Sequence, residues 1–434
     1  MQNEAFWMPF SANRDFKAAP RLVERSSGMY YYDEDGQPIL DMAAGLWCSN
    51  LGHGREEVAA AIGARARELD YAPSFNIGHP DAFILAERLV AEAADDINHV
   101  FFTTSGSEAV DTALKIALAY QRLRGNPGKN LLVSRSKAYH GVNFGGTAVG
   151  GVSSNTAMFE RWGNVQFLPH TLDIERNAFS RGLPEQGVDR ADALLDIIEV
   201  HGADAIAAVI VEPVAGAGGM IPPPQGYLER LAKICRDHDI LVIFDEVICG
   251  FGRIGGFTGG DVFGVTPDIF TSAKGLTNGA VPMGAVFVSD EVYDVFMQTS
   301  STGIEFWHGY TYSAHPLACA AALACLDVYS GEALFTRATG PIADELENAL
   351  HTVRGLNGVI DVRNVGLLGA VQFQPGQRPG QVGGDVVRAA WQQGLVVRGL
   401  GDTIAVSPPL NIESQHIREF SEKITRAIQQ VVGS

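Results

Sequence analysis

From about residue 80, apolar runs of strand length alternate with amphipathic stretches whose apolar positions recur at helical spacing. That alternation predicts an α/β fold with a mostly parallel sheet. Residues 81–95 read as a helix, 99–103 as a strand, 108–122 as a helix with Val110, Ala113, Leu114 and Ala117 on one stripe, and 131–134 as a strand. Further on, 205–211 and 240–244 are uninterrupted apolar runs, as strands buried on both faces should be. The amphipathic stretch 227–238 between them completes a strand–helix–strand unit, and 269–272 and 284–288 read as further strands. A long Ala-rich helix begins near His315-Pro316, and the chain beyond it mixes helix and strand. The first stretch, with the hairpin-like YYDEDGQPILD, falls outside the alternation. The organisation expected is a large domain over 57–314, a small C-terminal domain over 315–434, and an N-terminal segment, 1–56, that packs with the small domain.

Composition narrows the function classes. The 434 residues are enough for two to three domains. With 46% hydrophobic and 19% charged residues the chain is an ordinary globular protein, not a disordered, collagen-like or coiled-coil one. Lys+Arg number 32 against 50 Asp+Glu, and a net charge of -18 repels phosphate backbones and anionic lipid, so neither nucleic acid nor a membrane surface is an expected partner. Five scattered cysteines with no CxxC pair read as reduced thiols rather than a disulfide framework or zinc ribbon. The N-terminus carries an early Glu4 and no basic segment leading into an apolar stretch, and no apolar run reaches the length of a membrane span. The expectation is a soluble, cytoplasmic protein.

Ligands of open α/β sheets bind beyond the carboxyl ends of the strands, and three such ends carry chemistry. The strand ending at Thr103 runs through Thr104-Ser105-Gly106-Ser107 into a helix, which offers backbone N–H groups, hydroxyls and a positive helix end to an anion. Its ordinary explanation is a capped helix, with Ser105 or Ser107 as the cap. The apolar run 240–244 ends in Asp245-Glu246, acids that are costly to bury without a positive partner and that could equally be loop or helix caps. Lys274 follows the strand 269–272 and could be a desolvated amine fit for Schiff-base chemistry, or a solvated surface lysine. Each feature alone has a bland explanation; together they are the anion cradle, carboxylate and amine that pyridoxal phosphate requires. A rival signal is Gly250-Phe251-Gly252-Arg253-Ile254-Gly255, a GxGxxG run after a strand. The residues that follow, GFTGGDVFGVTP, cannot form the helix of a dinucleotide fold, which argues against a nicotinamide-dependent oxidoreductase. No Walker loop, HExxH helix, GxSxG elbow or metal-ligand spacing is present, so no metal is expected.

Ordered blocks along nearly the whole chain, FWMPFSANRDFKAAPR, GLWCSNLGHG, TTSGSEAVDTALKIA, KAYHG, VEPVAGAGG, IFDEVICGFGRIG, SAKGLTNG, HGYTYSAHP and VVRGLGDTIAVSPPL, resemble the class III pyridoxal-phosphate aminotransferases of fold type I. Among these the chain is most similar to the omega-amino acid:pyruvate, or β-alanine–pyruvate, enzymes. The resemblance implies a large domain with a mostly parallel sheet flanked by helices, a smaller α+β domain built from both termini, and a homodimer or tetramer of dimers with shared active sites. It implies Lys274 as the Schiff-base lysine, Asp245 as partner of the pyridine nitrogen, and Ser105, Gly106 and Ser107 around the phosphate. Tyr139 and Val247 would flank the ring, and Thr311 would reach the phosphate in the neighbouring subunit. Arg398 would bind the substrate carboxylate, with Glu212 to neutralise it when no carboxylate is there, and Trp47, Phe75, Ala217 and Ile248 would line the substrate pocket. The reaction implied is ping-pong transfer of an amino group from an amine or amino acid to pyruvate. An aminomutase, racemase or decarboxylase would need the same Lys274 and Asp245.

Overall fold

The computed structural model describes residues 5–299 and 303–433. Glu4, used above in reading the N-terminus, lies outside them, as do the first residues of the 1–56 segment and Ser434. Strands β1 (Arg25–Ser27), β2 (Tyr30–Tyr32) and β3 (Pro38–Asp41) form an antiparallel meander. The β2–β3 turn follows from its sequence. Asp33 Oδ1 accepts from the N–H groups of Asp35 and Gln37, and Gly36 takes a φ of 74° that a side chain would resist.

The central sheet has seven strands, β4 (Ile97–Thr103), β5 (Leu131–Arg135), β6 (Val165–Leu168), β7 (Ile206–Val211), β8 (Leu241–Asp245), β9 (Ile269–Ser272) and β10 (Gly284–Ser289), in the order β4-β10-β9-β8-β7-β5-β6. From β9 to β6 all neighbours are parallel, and β7, β8 and β9 are buried along their whole length, which is why their sequences are continuous apolar runs. The exception is β10, antiparallel to both β9 and β4. Element ends move where local chemistry dictates. The helix expected over 108–122 spans Gly106–Leu123, because Ser105 is extended and its hydroxyl accepts from Glu108 N, making Gly106 the first helical residue. The helix expected over 81–95 spans Pro80–Val90; beyond it, tight turns lead the chain into β4 two residues before the expected start. Ala205 belongs to a short 3-10 turn rather than to β7.

After the central sheet, the Ala-rich helix Pro316–Gly331 starts from His315, whose ring accepts from Leu317 N, and packs on helices Glu56–Glu68 and Pro80–Val90. Strands β11 (Val359–Val365), β12 (Leu368–Phe373), β14 (Arg398–Gly399) and β15 (Thr403–Val406) form an antiparallel sheet in the order β11-β12-β15-β14. Strand β13 (Leu395–Val396) leaves that sheet and pairs in parallel with β3. The N-terminal meander thus joins the chain two residues before Arg398. Among the described residues no helix is long and apolar enough to cross a membrane.

Candidate active site

The carboxyl ends of β4, β8 and β9 meet at one cavity whose walls include Ser105, Gly106, Ser107, Asp245 and Lys274. Close packing explains the glycine in the cradle: a Cβ on Gly106 would stand 3.0 Å from Val247 Cγ1 and 3.5 Å from Ala273 Cβ. Ser107 Oγ accepts from Val142 N at 3.1 Å, which ties the cradle to the chain after Tyr139. Both explanations of the first strand end hold at once, since Ser105 caps the helix and the helix end faces the cavity.

Asp245 ends β8 and is 4% exposed. The partner its burial calls for is His140, whose Nδ1 lies 2.8 Å from Asp245 Oδ2; Thr271 Oγ1 and Val247 N donate to Oδ1, each at 3.2 Å. Pattern reading alone gave His140 no role, because 105 residues separate it from Asp245. Its proximity to Tyr139 in KAYHG was the one available signal. His140 Nε2 is buried and has no hydrogen-bond partner.

Glu246 takes the capping role. Its carboxylate accepts from Gly259 N at 2.8 Å and Gly260 N at 3.0 Å, at the head of the short helix Gly259–Phe263. Burial pushes this carboxyl up to about 8 from an ordinary 4.5. The folded protein keeps a proton that the unfolded chain releases. The associated stability is therefore complete below about pH 4.5 and is lost as the pH rises through about 8. Glu246→Gln, neutral throughout, is expected to flatten the fall of the unfolding temperature over that range. Equal slopes in the two proteins would assign the fall to other groups.

Lys274 opens a 3-10 turn, Lys274–Thr277, after β9, with a φ of 45°, and is half-buried in the cavity wall rather than a solvated surface lysine. Burial lowers its pKa, and the negative charge of Asp245 opposes that shift. Its Nζ lies 5.9 Å from the centre of the Trp47 ring, which is 5% exposed. Tyr139, Val247, Ile248 and Glu212 line the same cavity. Burial raises the Tyr139 hydroxyl and the Glu212 carboxyl. Glu212 accepts from Tyr139 N at 3.0 Å and from Gly216 N at 2.8 Å, so its carboxylate ties the chain at Tyr139 to the loop after β7, and no ion pair joins it to Arg398. Arg398 is half-buried in electrostatic reach of Tyr139, with its pKa lowered by burial and its buried Nε without a hydrogen-bond partner.

Five expected residues lie outside the cavity wall: Trp47 and Arg398, placed above, and Ala217, Phe75 and Thr311. Ala217 is half-buried beside Gly216, whose Cα faces Ile248 so closely that a Cβ would meet Ile248 Cδ1 at 2.4 Å. Phe75 is 58% exposed and Thr311 is exposed, its carbonyl accepting from the Tyr71 hydroxyl at 2.9 Å. The GFGRIG run is a closed loop: Phe251 N donates to Phe257 O and Gly252 N to Gly256 O, only the five-residue helix Gly259–Phe263 follows it, and the fully buried Arg253 donates to Asn50 Oδ1 and Pro408 O. The N–H groups of Gly250, Phe251, Gly252 and Gly255 all donate to backbone carbonyls, so its glycines offer no dinucleotide cradle.

The residues present fit pyridoxal phosphate: a helix N-terminus with a cradle that a Cβ would fill, a buried carboxylate backed by His140, and a desolvated amine on the next strand end. Residues 11–428 match the family described as aminotransferase class-III. The chain is 49% identical to an omega-aminotransferase of Caulobacter vibrioides, over 99% of this chain and 98% of that protein. It is 46% identical to a beta-alanine–pyruvate aminotransferase of Pseudomonas aeruginosa, over 98% and 96%. Among solved structures, an omega transaminase from Pseudomonas jessenii in complex with PMP matches with a TM-score of 0.92 at 32% identity, covering 99% of this chain and 97% of that one.

Proposed function

The chain belongs to the class III aminotransferases, enzymes of pyridoxal phosphate, and on that footing we propose that it transfers the amino group of an omega-amino acid or primary amine of the β-alanine kind to pyruvate. The products are alanine and an aldehyde or ketone. The observation that carries the reading is the convergence of Lys274, Asp245 and the 105–107 cradle on one cavity, in a chain similar over almost its full length to omega-amino acid aminotransferases.

Ser105, Gly106 and Ser107 would hold the phosphate, Tyr139 and Val247 the two faces of the ring, Asp245 its nitrogen and Lys274 its aldehyde. Bound there, the cofactor supplies an aldehyde for the incoming amine and a ring that accepts the electron pair left when the substrate C–H bond breaks. The chain supplies the proton traffic. Lys274, made more readily neutral by desolvation, takes the proton from the donor carbon and returns it on the far side of the transfer. Asp245, fixed by His140 and Thr271, keeps the ring nitrogen protonated.

Arg398 is the residue we assign to pyruvate, whose carboxylate it can take in a two-pronged contact. Trp47, Phe75, Ala217 and Ile248 would shape the donor pocket, and Glu212 would balance Arg398 when the donor lacks a carboxylate. Arg398→Ala is expected to raise the KM for pyruvate on the order of 10- to 100-fold, the worth of charge-assisted hydrogen bonds. A carboxylate-free amine should lose much less; equal losses for both would remove Arg398 from this role. Support for a homodimer with shared sites comes from one face of the chain, where Phe75 packs on Gly309, Tyr71 on Tyr312, and Phe75 and Tyr312 remain 58% and 59% exposed. Thr311 lies on that face and would reach the partner's phosphate. We divide the chain into a large domain over 57–314 and a small one over 315–434 joined by 1–56, and assign the enzyme to the cytoplasm, in keeping with its five free thiols. Incubating the holoenzyme with pyruvate and a panel of amines, with alanine as the readout, tests the whole reading. Failure of every amine, β-alanine included, to yield alanine would return it to the aminomutase, racemase or decarboxylase classes.

A further inference from the structure

We propose that Asp41 is a positioning residue for the substrate pocket: it holds the turn over residues 43–48 in a strained backbone form that stands Trp47 against Lys274. The inference rests on the reading of Trp47 as a wall of that pocket. Within six residues the chain takes the left-handed region three times, at Ala44 (φ 44°), Gly45 (φ 67°) and Trp47 (φ 62°). Glycine tolerates this; a bulky side chain such as tryptophan rarely does, and such residues persist where the surroundings over-determine them.

Asp41 supplies that determination. It is the last residue of β3 and is fully buried. Its Oδ1 accepts from Ala43 N at 2.9 Å, and its Oδ2 accepts from Gly45 N at 2.6 Å and from His53 Nε2 at 2.8 Å. One carboxylate thus fixes the two backbone N–H groups that flank Ala44. His53 is itself held, by paired backbone hydrogen bonds with Gly28 at 2.8 and 2.9 Å and by the Tyr31 ring 4.4 Å away. Tyr31 also closes the other side of the turn, since a Cβ on Gly45 would come within 3.1 Å of its hydroxyl. The turn then folds back on itself, with Trp47 N donating to Ala43 O and Cys48 N to Ala44 O, each at 2.9 Å. The outcome is the indole ring centred 5.9 Å from Lys274 Nζ. Asp41 is not part of the cavity wall and acts through Trp47. Its backbone pairs with Val396 of β13, which leads to Arg398, but that pairing is between main chains and survives a change of side chain. Asp41→Asn therefore separates the turn from the substrate arginine.

The test is a double-mutant cycle on the holoenzyme. Asp41→Asn, Trp47→Ala and the double variant are assayed with pyruvate against β-alanine and against 1-phenylethylamine, and their near-ultraviolet circular dichroism is recorded. Asp41→Asn alone is expected to lower kcat/KM on the order of tenfold and to change the tryptophan signal, as loss of a charge-assisted hydrogen bond to the turn should. In the Trp47→Ala background the same substitution should change kcat/KM by less than about twofold and leave the dichroism unmoved. Equal losses in both backgrounds would overturn the inference while leaving Trp47 in the pocket. No effect of Trp47→Ala on either amine would instead take down the reading of Trp47 on which the inference rests. Should Asp41→Asn not fold, His53→Gln goes through the same cycle, with a smaller loss of about threefold and the same dependence on Trp47 expected; a loss independent of Trp47 counts against the proposal there as well.

Discussion

Replacing Lys274 by alanine is expected to lower the rate of alanine formation from β-alanine and pyruvate by about 10⁴-fold or more, the upper range for a positioned proton-transfer group, because the same side chain also serves as the covalent anchor. The lysine is placed for both duties by one local feature: β9 is a short, fully buried strand, and its last residues deliver position 274 into a 3-10 turn at the cavity. Burial lowers the pKa of the amine while Asp245 nearby tempers the shift, so the neutral, nucleophilic form is easier to reach than in a solvated lysine. Lys274→Arg should be as inactive as the alanine variant, since a guanidinium cannot shed its proton to attack a carbonyl. Both variants should keep their fold, as judged by thermal unfolding, and hold pyridoxal phosphate only as a ligand that gel filtration removes. Alanine formation above about one hundredth of the wild-type rate in either would mean that another group carries the proton.

What pattern could and could not convey differs by residue. The run Ile269–Ser272 reads as a strand and is one, because burial on both faces leaves an uninterrupted apolar signature that needs no knowledge of neighbours. The same holds for β7 and β8, the second of which ends at Asp245. Strand order is another matter. Nothing in 284–288 says that this segment inserts between β4 and β9 in the opposite direction, since periodicity describes faces and not partners. His140 shows the same limit, for its meaning comes from Asp245, which the sheet order alone brings within 2.8 Å. Asp41 and His53 are hidden for a related reason. Acids and histidines near a hairpin look like surface residues until the fold buries them around the strained turn at Ala44 and Trp47. For Arg398, Phe75 and Thr311 the family resemblance alone supplied roles, and their half-buried or exposed settings in a single chain are why pattern reading was silent about them.

Asp245→Asn is expected to lower kcat by about 10²- to 5 × 10³-fold with little change in the KM for either substrate, corresponding to the roughly 3–5 kcal/mol lost when one member of a buried charged pair is removed. The amide has the shape of the carboxylate, so Thr271 Oγ1 and Val247 N still find an oxygen, while the Nδ2 that replaces Oδ2 donates to His140 Nδ1 in its other tautomer, and the fold should survive with little change in unfolding temperature. What disappears is the negative charge, and with it the means of keeping a proton on the ring nitrogen. A loss in kcat rather than KM is the mark of an interaction that matters most in the transition state. His140 acts one step further out, orienting the carboxylate from a site 1% exposed, so His140→Gln should cost on the order of tenfold, and in the Asp245→Asn background should cost almost nothing more. Wild-type kcat in Asp245→Asn, or an undiminished effect of His140→Gln in its absence, would show that the acid at the end of β8 merely caps its loop, as its neighbour Glu246 does.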